Sequence, residues 1–182
     1  MTYKKWIFIA IGLFVLGMAF GLAMPVGISD VLAEDLEALK QLAAMLGPFK
    51  ISTAAFIFLK NASALIFSFI FSPVLCLLPI LALTVNGWLL SFISAAVVQE
   101  ESLGLLLAVL LPHGIFELPA LIIGEAAALS FGAMVIVALI SKKRRSQLSP
   151  NLKQNLKYLL LAFALLLPAA IIETYVTPLF LT

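Results

Sequence analysis

The stretch from Leu103 to Ile140, LGLLLAVLLPHGIFELPALIIGEAAALSFGAMVIVALI, decides the fold. It is apolar along most of its length, and similar runs recur in a chain that is 64% hydrophobic and only 11% charged. An ordinary soluble domain has about 25% charged residues. An apolar run of about 20 residues can cross a bilayer as a helix, and backbone groups must be paired within lipid. The sequence therefore predicts an all-α polytopic membrane bundle.

The apolar runs predict five spans within a single integral membrane domain covering residues 1–182. Their expected limits are about residues 6–24, 49–71, 74–98, 115–140 and 152–174. An external amphipathic helix is expected over residues 30–46, because apolar residues recur there at helical spacing among acidic ones. The first run also has the basic start of a signal peptide, but its length favours an uncleaved span.

The quoted stretch is too long for one span and contains Pro112. Proline lacks a backbone N–H and suits the start of a helix better than its interior. We therefore expect a re-entrant half-helix over residues 103–111, followed by the span over residues 115–140. Two complete crossings in this stretch remain an alternative.

Charge distribution predicts the orientation, because cytoplasmic loops carry an excess of Lys and Arg. Lys4 and Lys5 place the N-terminus in the cytoplasm, and the basic loop Lys142–Arg145 belongs on the same side. Three spans bring the chain outside at Gln99–Ser102, so one further crossing returns it to that loop. The C-terminus is then external, in a multi-pass protein of the cell membrane.

Polar side chains within the predicted spans are the candidate functional residues, because such groups are costly in lipid. The expected polar cluster contains Asn61, Asn86, His113, Glu117 and Glu173, with Lys60 and Glu125 as secondary candidates. His113 and Glu117 are four residues apart and share one face of a helix that begins near Pro112.

This pattern admits two interpretations. One is an ion, proton or metal site built from His113, Glu117 and Glu173. The other, which we favour, is structural: Glu117 accepts hydrogen bonds at a broken helix or pairs with Lys60. Because two ligands do not make a metal site, no cofactor is expected. The sequence lacks catalytic motifs, which argues against an enzyme.

Small residues at intervals of four predict close helix packing. They are Ala120, Gly124, Ala128 and Gly132 in the fourth span, and Gly17 and Gly21 in the first. The pattern fits packing within one chain or between copies in a homo-oligomer. The expected partners are the lipid bilayer and either further copies or other membrane proteins, but no nucleic acid, since no basic patch with aromatic residues is present.

The motif PHGIFELPA at Pro112–Ala120 resembles the PHG-x-x-E-x-P-A signature of the stage II sporulation protein M family of integral membrane proteins. Asn61, Asn86-Gly87 and the stretch IETYVTP at Ile172–Pro178 match the family in the same order. One departure is visible: many members have two adjacent asparagines in the second span, whereas Lys60 precedes Asn61 here.

The resemblance implies a compact bundle of about five spans. If the shared polar residues converge in that bundle, the stretch Leu111–Ala120 forms one wall of a buried polar cluster. The resemblance implies less about activity: the spore-forming namesake acts as a scaffold in a membrane complex with peptidoglycan-remodelling partners, but most relatives belong to organisms that make no spores. Our first hypothesis is thus a non-enzymatic scaffold or regulatory subunit. The second is a small transporter or channel, with His113 and Glu117 lining its path. A membrane-embedded metal enzyme ranks last.

Overall fold

A computed structural model describes residues 3–23, 49–100 and 103–180, and these ranges contain helices and turns but no strand. The long helices are α1 (Tyr3–Ala23), α2 (Ile51–Phe71), α3 (Leu77–Glu100), α4 (Leu103–Ile140) and α5 (Leu148–Tyr175). Short 3-10 helices cover Lys142–Gln147 and Thr177–Phe180. The predicted all-α bundle is confirmed. The amphipathic helix expected over residues 30–46 lies outside the described residues.

Within the described ranges, five helical segments are long and apolar enough to cross a membrane. They are Tyr3–Ala23, Ile51–Phe71, Leu77–Ala95, Gly114–Ile140 and Lys142–Leu179. Their outer faces carry large apolar side chains such as Phe8, which is 72% exposed. A surface of this kind suits lipid, because lipid tails are as apolar as the side chains that face them.

The expected break at Pro112 is wrong, because α4 continues through both Pro112 and Pro119. The residues expected to form a half-helix, 103–111, are instead the first part of this helix. A proline removes one backbone hydrogen bond, and membrane helices tolerate that loss where neighbouring helices and local adjustments satisfy the freed groups. With 38 residues, α4 is about 57 Å long at 1.5 Å per residue. It is therefore longer than the hydrocarbon core of about 30 Å.

Helix α4 is the centre of the bundle. Half of its apolar span is buried, against 22% to 33% in the other four segments. One side of α4 packs against α2 and α5 around Leu65 and Leu166. The other side packs against α1 and α3 around Phe14 and Leu83. Side chains on α4 are thus placed between two layers of helices.

The glycines of α1 pack directly against the backbone of α3. A Cβ atom added to Gly17 would overlap the Thr84 carbonyl, and one added to Gly87 of α3 would overlap the Phe14 carbonyl. A Cβ on Gly21 would likewise overlap Ser91, whose hydroxyl donates to the Met18 carbonyl at 2.9 Å. These glycines therefore allow two backbones to approach within the chain.

The small residues of α4 also face inward. Ala120 and Ala128 are fully buried. A Cβ on Gly124 would lie 2.8 Å from the Leu65 side chain of α2. A Cβ on Gly132 would overlap the carbonyl of Ser72 in the turn between α2 and α3. Each therefore packs against another part of the same chain.

The turn Ser72–Cys76 joins α2 to α3 through an uncommon backbone conformation. Leu75 and Cys76 have positive φ angles of 52° and 54°, which is costly for residues with a side chain. The Cys76 N–H donates to the Ser72 carbonyl at 2.9 Å, and that carbonyl also lies against Gly132. The contact with α4 therefore helps to hold this turn.

Candidate functional site

A pocket of about 70 Å³ lies between α2, α3, α4 and α5. Helices α2 and α3 contact each other only sparsely, which leaves space between them in front of α4. The pocket is lined by Asn61, Ala64, Leu65, Ala82, Asn86, Glu117, Leu121, Glu125 and Leu166. Four of these side chains are polar, and three of those four belong to the cluster expected from the sequence.

Helical spacing brings the polar residues to the pocket. Glu117, Leu121 and Glu125 follow one another at intervals of four along α4. The Asn61 side chain of α2 donates from Nδ2 to Oε1 of Glu117 at 3.2 Å. The two glutamates are eight positions apart in the sequence, which corresponds to about 12 Å along the helix axis. The pocket therefore has two carboxyl groups at successive depths.

Glu125 is the most deeply buried of these polar groups, with 1% of its surface exposed. Ser68 of α2, itself buried, donates from Oγ to Oε2 of Glu125 at 2.5 Å. An ionised carboxylate in an apolar interior is costly unless a positive charge or a proton neutralises it. None of the described residues that line the pocket is basic. A proton or a bound cation is therefore the natural partner of Glu125.

Asn86 contributes an amide from α3. Its Nδ2 donates to the Ala82 carbonyl one turn earlier at 2.7 Å. An asparagine amide has two donor hydrogens and an acceptor oxygen, so this single bond uses only part of its capacity. Together with Asn61, it adds amide groups to the carboxyl groups of α4.

The pocket suits a very small ligand. A buried water molecule needs about 10–15 Å³ of such space, so a volume of about 70 Å³ accommodates a few waters or a small ion. Pockets for organic ligands are usually about 300–1,000 Å³. Oxygen donors are also the groups that hard cations prefer.

The other expected site residues are placed differently. Glu173 does not line the pocket and lies seven residues beyond Leu166 on α5, roughly 10 Å along the axis. Lys60 is exposed beside Asn61. His113 lies on α4 one turn before Glu117, and its side chain is outside the described parts. Among the described residues, no group of three His, Cys, Asp or Glu side chains could hold a metal ion.

The sequence indicated Glu125 only as a secondary candidate for the polar cluster and did not indicate Ser68. The available signal was spacing: Ser68 follows Asn61 by seven residues, which is two helical turns on α2. A serine in an apolar span is unremarkable by itself, because its hydroxyl can bond to its own helix. Its role became visible only when α2 was placed beside α4.

Comparison with known proteins identifies relatives. The profile of the family Stage II sporulation protein M matches residues 7–178. An uncharacterized protein of Methanocaldococcus jannaschii is 38% identical over 79 residues, which are 43% of this chain and 44% of the relative. A second uncharacterized protein of that organism is 29% identical over 110 residues, which are 59% of this chain and 50% of the relative. The chain thus spans about half the length of these curated relatives or less. No solved structure matches it.

Proposed function

We propose that this chain, which belongs to the stage II sporulation protein M family of integral membrane proteins, is a non-enzymatic membrane protein that binds and conducts a proton or small cation. The proposed site is the pocket containing Glu117 and Glu125. This is the transporter hypothesis. The scaffold hypothesis becomes the second candidate, because a scaffold does not require carboxyl groups within the bundle.

The burial of Glu125 carries this proposal. The side chain is enclosed between helices, and its described hydrogen-bond partner, Ser68, is neutral. Ionisable residues inside membrane proteins are expensive and often belong to ion or proton paths. At such a site the Glu125 carboxylate would bind a proton and a cation in turn, and either one would neutralise its charge.

The two glutamates would act in sequence. Glu117 is only partly buried and is oriented by Asn61, whereas Glu125 lies deeper and is oriented by Ser68. An ion that enters at Glu117 can reach Glu125 through the pocket between them. The amides of Asn61 and Asn86 would replace part of the hydration shell that the ion loses.

The test is a flux measurement on the purified full chain in liposomes that contain a pH-sensitive dye. Imposed Na⁺ or K⁺ gradients should move protons in wild-type liposomes faster than in empty ones. Glu117→Gln and Glu125→Gln should each reduce this flux at least about tenfold while the protein stays folded, because each removes one ionisable group. Glu173→Gln is the matched control, since Glu173 does not line the pocket, and it should keep the flux.

Wild-type flux equal to that of empty liposomes for protons, Na⁺ and K⁺ would refute this function. An equal loss of proton flux in the Glu173→Gln control would show that removing any carboxyl group from the bundle has the same effect. That result would also contradict the assignment of the site to this pocket.

A specific observation favours the second candidate, a scaffold or regulatory subunit. The 3-10 helix Lys142–Gln147 is exposed throughout and carries four basic residues. It is held in place by bonds from Arg145 Nε to the Ala138 carbonyl at 3.3 Å and from Arg144 to Gln147 at 3.0 Å. An ordered cationic surface suits an acidic partner protein.

Gentle co-purification from the native membrane tests this role. A stoichiometric partner should be recovered with wild type and lost with Arg144→Glu. Lys153→Glu is the control, because Lys153 is also an exposed basic residue but lies on α5. Recovery of copies of this chain alone, with no other protein, would contradict the scaffold role and fit a homo-oligomer.

The orientation is part of the same proposal. Lys4, Lys5 and the segment Lys142–Gln147 are placed in the cytoplasm, because basic residues are retained on that side. Five crossings then put the C-terminus outside. After Cys76→Ser removes the native thiol, Lys143→Cys should resist an impermeant maleimide added to intact cells and react after lysis. Labelling in intact cells would reverse this orientation.

A further inference from the structure

A second pocket lies apart from the glutamates, where the start of α1 meets α4 and α5. Its volume is about 580 Å³, within the usual range for pockets that hold organic ligands. Its lining is polar and shares no residue with the first pocket: Tyr3, Lys4, Ser130, Asn151, Gln154, Asn155 and Tyr158. Nothing in the proposed ion path uses these residues.

Two tyrosines build one wall of this pocket. The ring of Tyr3 stacks on that of Tyr158, with centroids 3.4 Å apart and planes inclined by 3°. The Tyr3 hydroxyl donates to the Ile123 carbonyl of α4 at 2.8 Å. The start of α1 is thereby attached to both α4 and α5. Lys4, the next residue, is exposed and brings a positive charge to the pocket.

Asn155 forms the buried floor and is 1% exposed. Its Nδ2 lies 3.2 Å from Ser130 Oγ, 3.0 Å from the Asn151 carbonyl and 2.9 Å from Asn151 Oδ1. Its Oδ1 is buried and has no hydrogen-bond partner among the described residues. Buried amide oxygens are almost always paired, so this oxygen calls for a donor from outside.

The orientation of this amide follows from its neighbours. Rotating the Asn155 amide by half a turn would place its oxygen against the carbonyl and Oδ1 of Asn151, which are both acceptors. That arrangement would be repulsive, so the amide nitrogen must face Asn151. The oxygen is then left buried and unpaired in the floor of the pocket, and its missing partner must carry a hydroxyl or an N–H group.

The surroundings define the rest of the ligand. Lys4 supplies a positive charge, and Gln154 and Tyr158 supply side chains that can donate to oxygen. Exposed apolar residues, Phe8 on α1 and Leu160 on α5, lie along the same two helices and suit lipid tails. An amphiphile with a phosphate and a donor group in its head would satisfy all of these groups.

We propose that this pocket binds a phosphate ester that carries a hydroxyl or ammonium group, as phospholipid head groups do. The phosphate would contact Lys4, and the hydroxyl or ammonium would donate to Asn155 Oδ1. Phosphatidylethanolamine and phosphatidylglycerol have both features. Phosphatidylcholine has the same phosphate but no donor hydrogen in its head group, so the site should discriminate against it.

The experiment measures lipid retention by the full chain in detergent, using native mass spectrometry. Phosphatidylethanolamine and phosphatidylcholine are compared first, because both are neutral overall and they differ in their donors. Wild type should retain phosphatidylethanolamine about fivefold better, the ratio expected for one hydrogen bond to a buried acceptor. Equal retention of the two lipids by wild type would overturn the proposal, and this comparison needs no variant.

Two variants test the groups separately. Asn155→Leu should remove the preference for phosphatidylethanolamine over phosphatidylcholine, provided that the variant folds. Lys4→Gln should weaken retention of both lipids about two- to fivefold, as expected for one exposed charge. Lys5→Gln is the matched control, since Lys5 is exposed beside Lys4 but does not line the pocket. Equal effects at Lys4 and Lys5 would contradict the assigned phosphate contact.

A soluble probe separates the two sources of such a ligand. Glycerol 3-phosphate, added in excess to the lipid-bound protein, should fail to displace phosphatidylglycerol if the site holds a membrane lipid. Displacement that depends on Lys4 would instead assign the pocket to a free phosphate ester. Displacement that also occurs in Lys4→Gln would reject the pocket as the binding site.

Discussion

The contact between α1 and α3 differs sharply from the contact between α2 and α4. At the first, Gly17 and Gly87 let one backbone rest on the other, and even a methyl group would overlap. At the second, Asn61 and Ser68 reach across to glutamates on α4. The first contact leaves no room for a ligand. The second is built from side chains and borders a pocket.

The difference follows from side-chain size. Lipid does not drive apolar helices together as water does, so helices associate through close packing and hydrogen bonds. Glycine allows the closest packing, and polar side chains supply the hydrogen bonds. Close packing at glycines joins α1 to α3, and hydrogen bonds between polar side chains join α2 to α4. We therefore expect substitutions in the first contact to affect stability most, and those in the second to affect stability less and function as well.

Gly17→Leu should have the largest effect. The new side chain would overlap the Thr84 backbone, which cannot move without shifting α3. We expect a loss of about 3 kcal/mol or more, seen as a large fall in the thermal unfolding temperature in detergent. Gly12→Leu on the same helix is the control, because a Cβ there meets no atom within 4 Å. If both variants unfold alike, the close α1–α3 contact is not what stabilises this part of the bundle.

Gly132→Ala should have the next largest effect. The added methyl would overlap the Ser72 carbonyl and lie 2.9 Å from Cys76 Sγ, in the turn with two positive φ angles. We expect about 1–3 kcal/mol of destabilisation. Gly114→Ala is the control on the same helix, since its Cβ position is open. Equal unfolding temperatures for the two variants would mean that the turn can shift without cost.

The number and type of the spans could be predicted, because apolar length is a local property of the chain. The break at Pro112 was wrong because proline stops helices in water more strictly than in a membrane bundle. The sequence left open whether Gly17 packs within the chain or against a second copy. A stripe of glycines does not show which helix packs against it. The partner, Thr84, depends on the tertiary arrangement.

The candidate site could be predicted only in part. Asn61, Asn86 and Glu117 were identified because polar residues are rare in spans and because they match a family motif. Ser68 and Asn155 were missed, since serine and asparagine near helix ends are ordinary in sequence. Their importance lies in burial and in the partners they meet, Glu125 and Ser130. Neither can be read from spacing alone.

Ser68→Ala should have an intermediate effect that tests the second contact. It removes the donor to Glu125 and leaves a buried carboxyl oxygen without that bond. We expect about 1–2 kcal/mol of destabilisation. In a Glu125→Leu background the same change should cost less than about 0.5 kcal/mol, because the acceptor is absent. Equal costs in the two backgrounds would show that Ser68 acts by packing and not through its hydroxyl.

Asn61→Leu should have the smallest effect on stability. Its bond to Glu117 is 3.2 Å long and reaches a partly exposed group, and interhelical hydrogen bonds in membranes average about 0.6 kcal/mol. Thermal unfolding should therefore shift little, although the proton flux assigned to Glu117 should fall, because that carboxyl loses an orienting donor. Lys60→Leu is the matched control on the exposed neighbour and should leave both quantities unchanged. If Asn61→Leu leaves the flux unchanged, the hydrogen bond between α2 and α4 does not contribute to ion binding. The contact would then serve only helix packing.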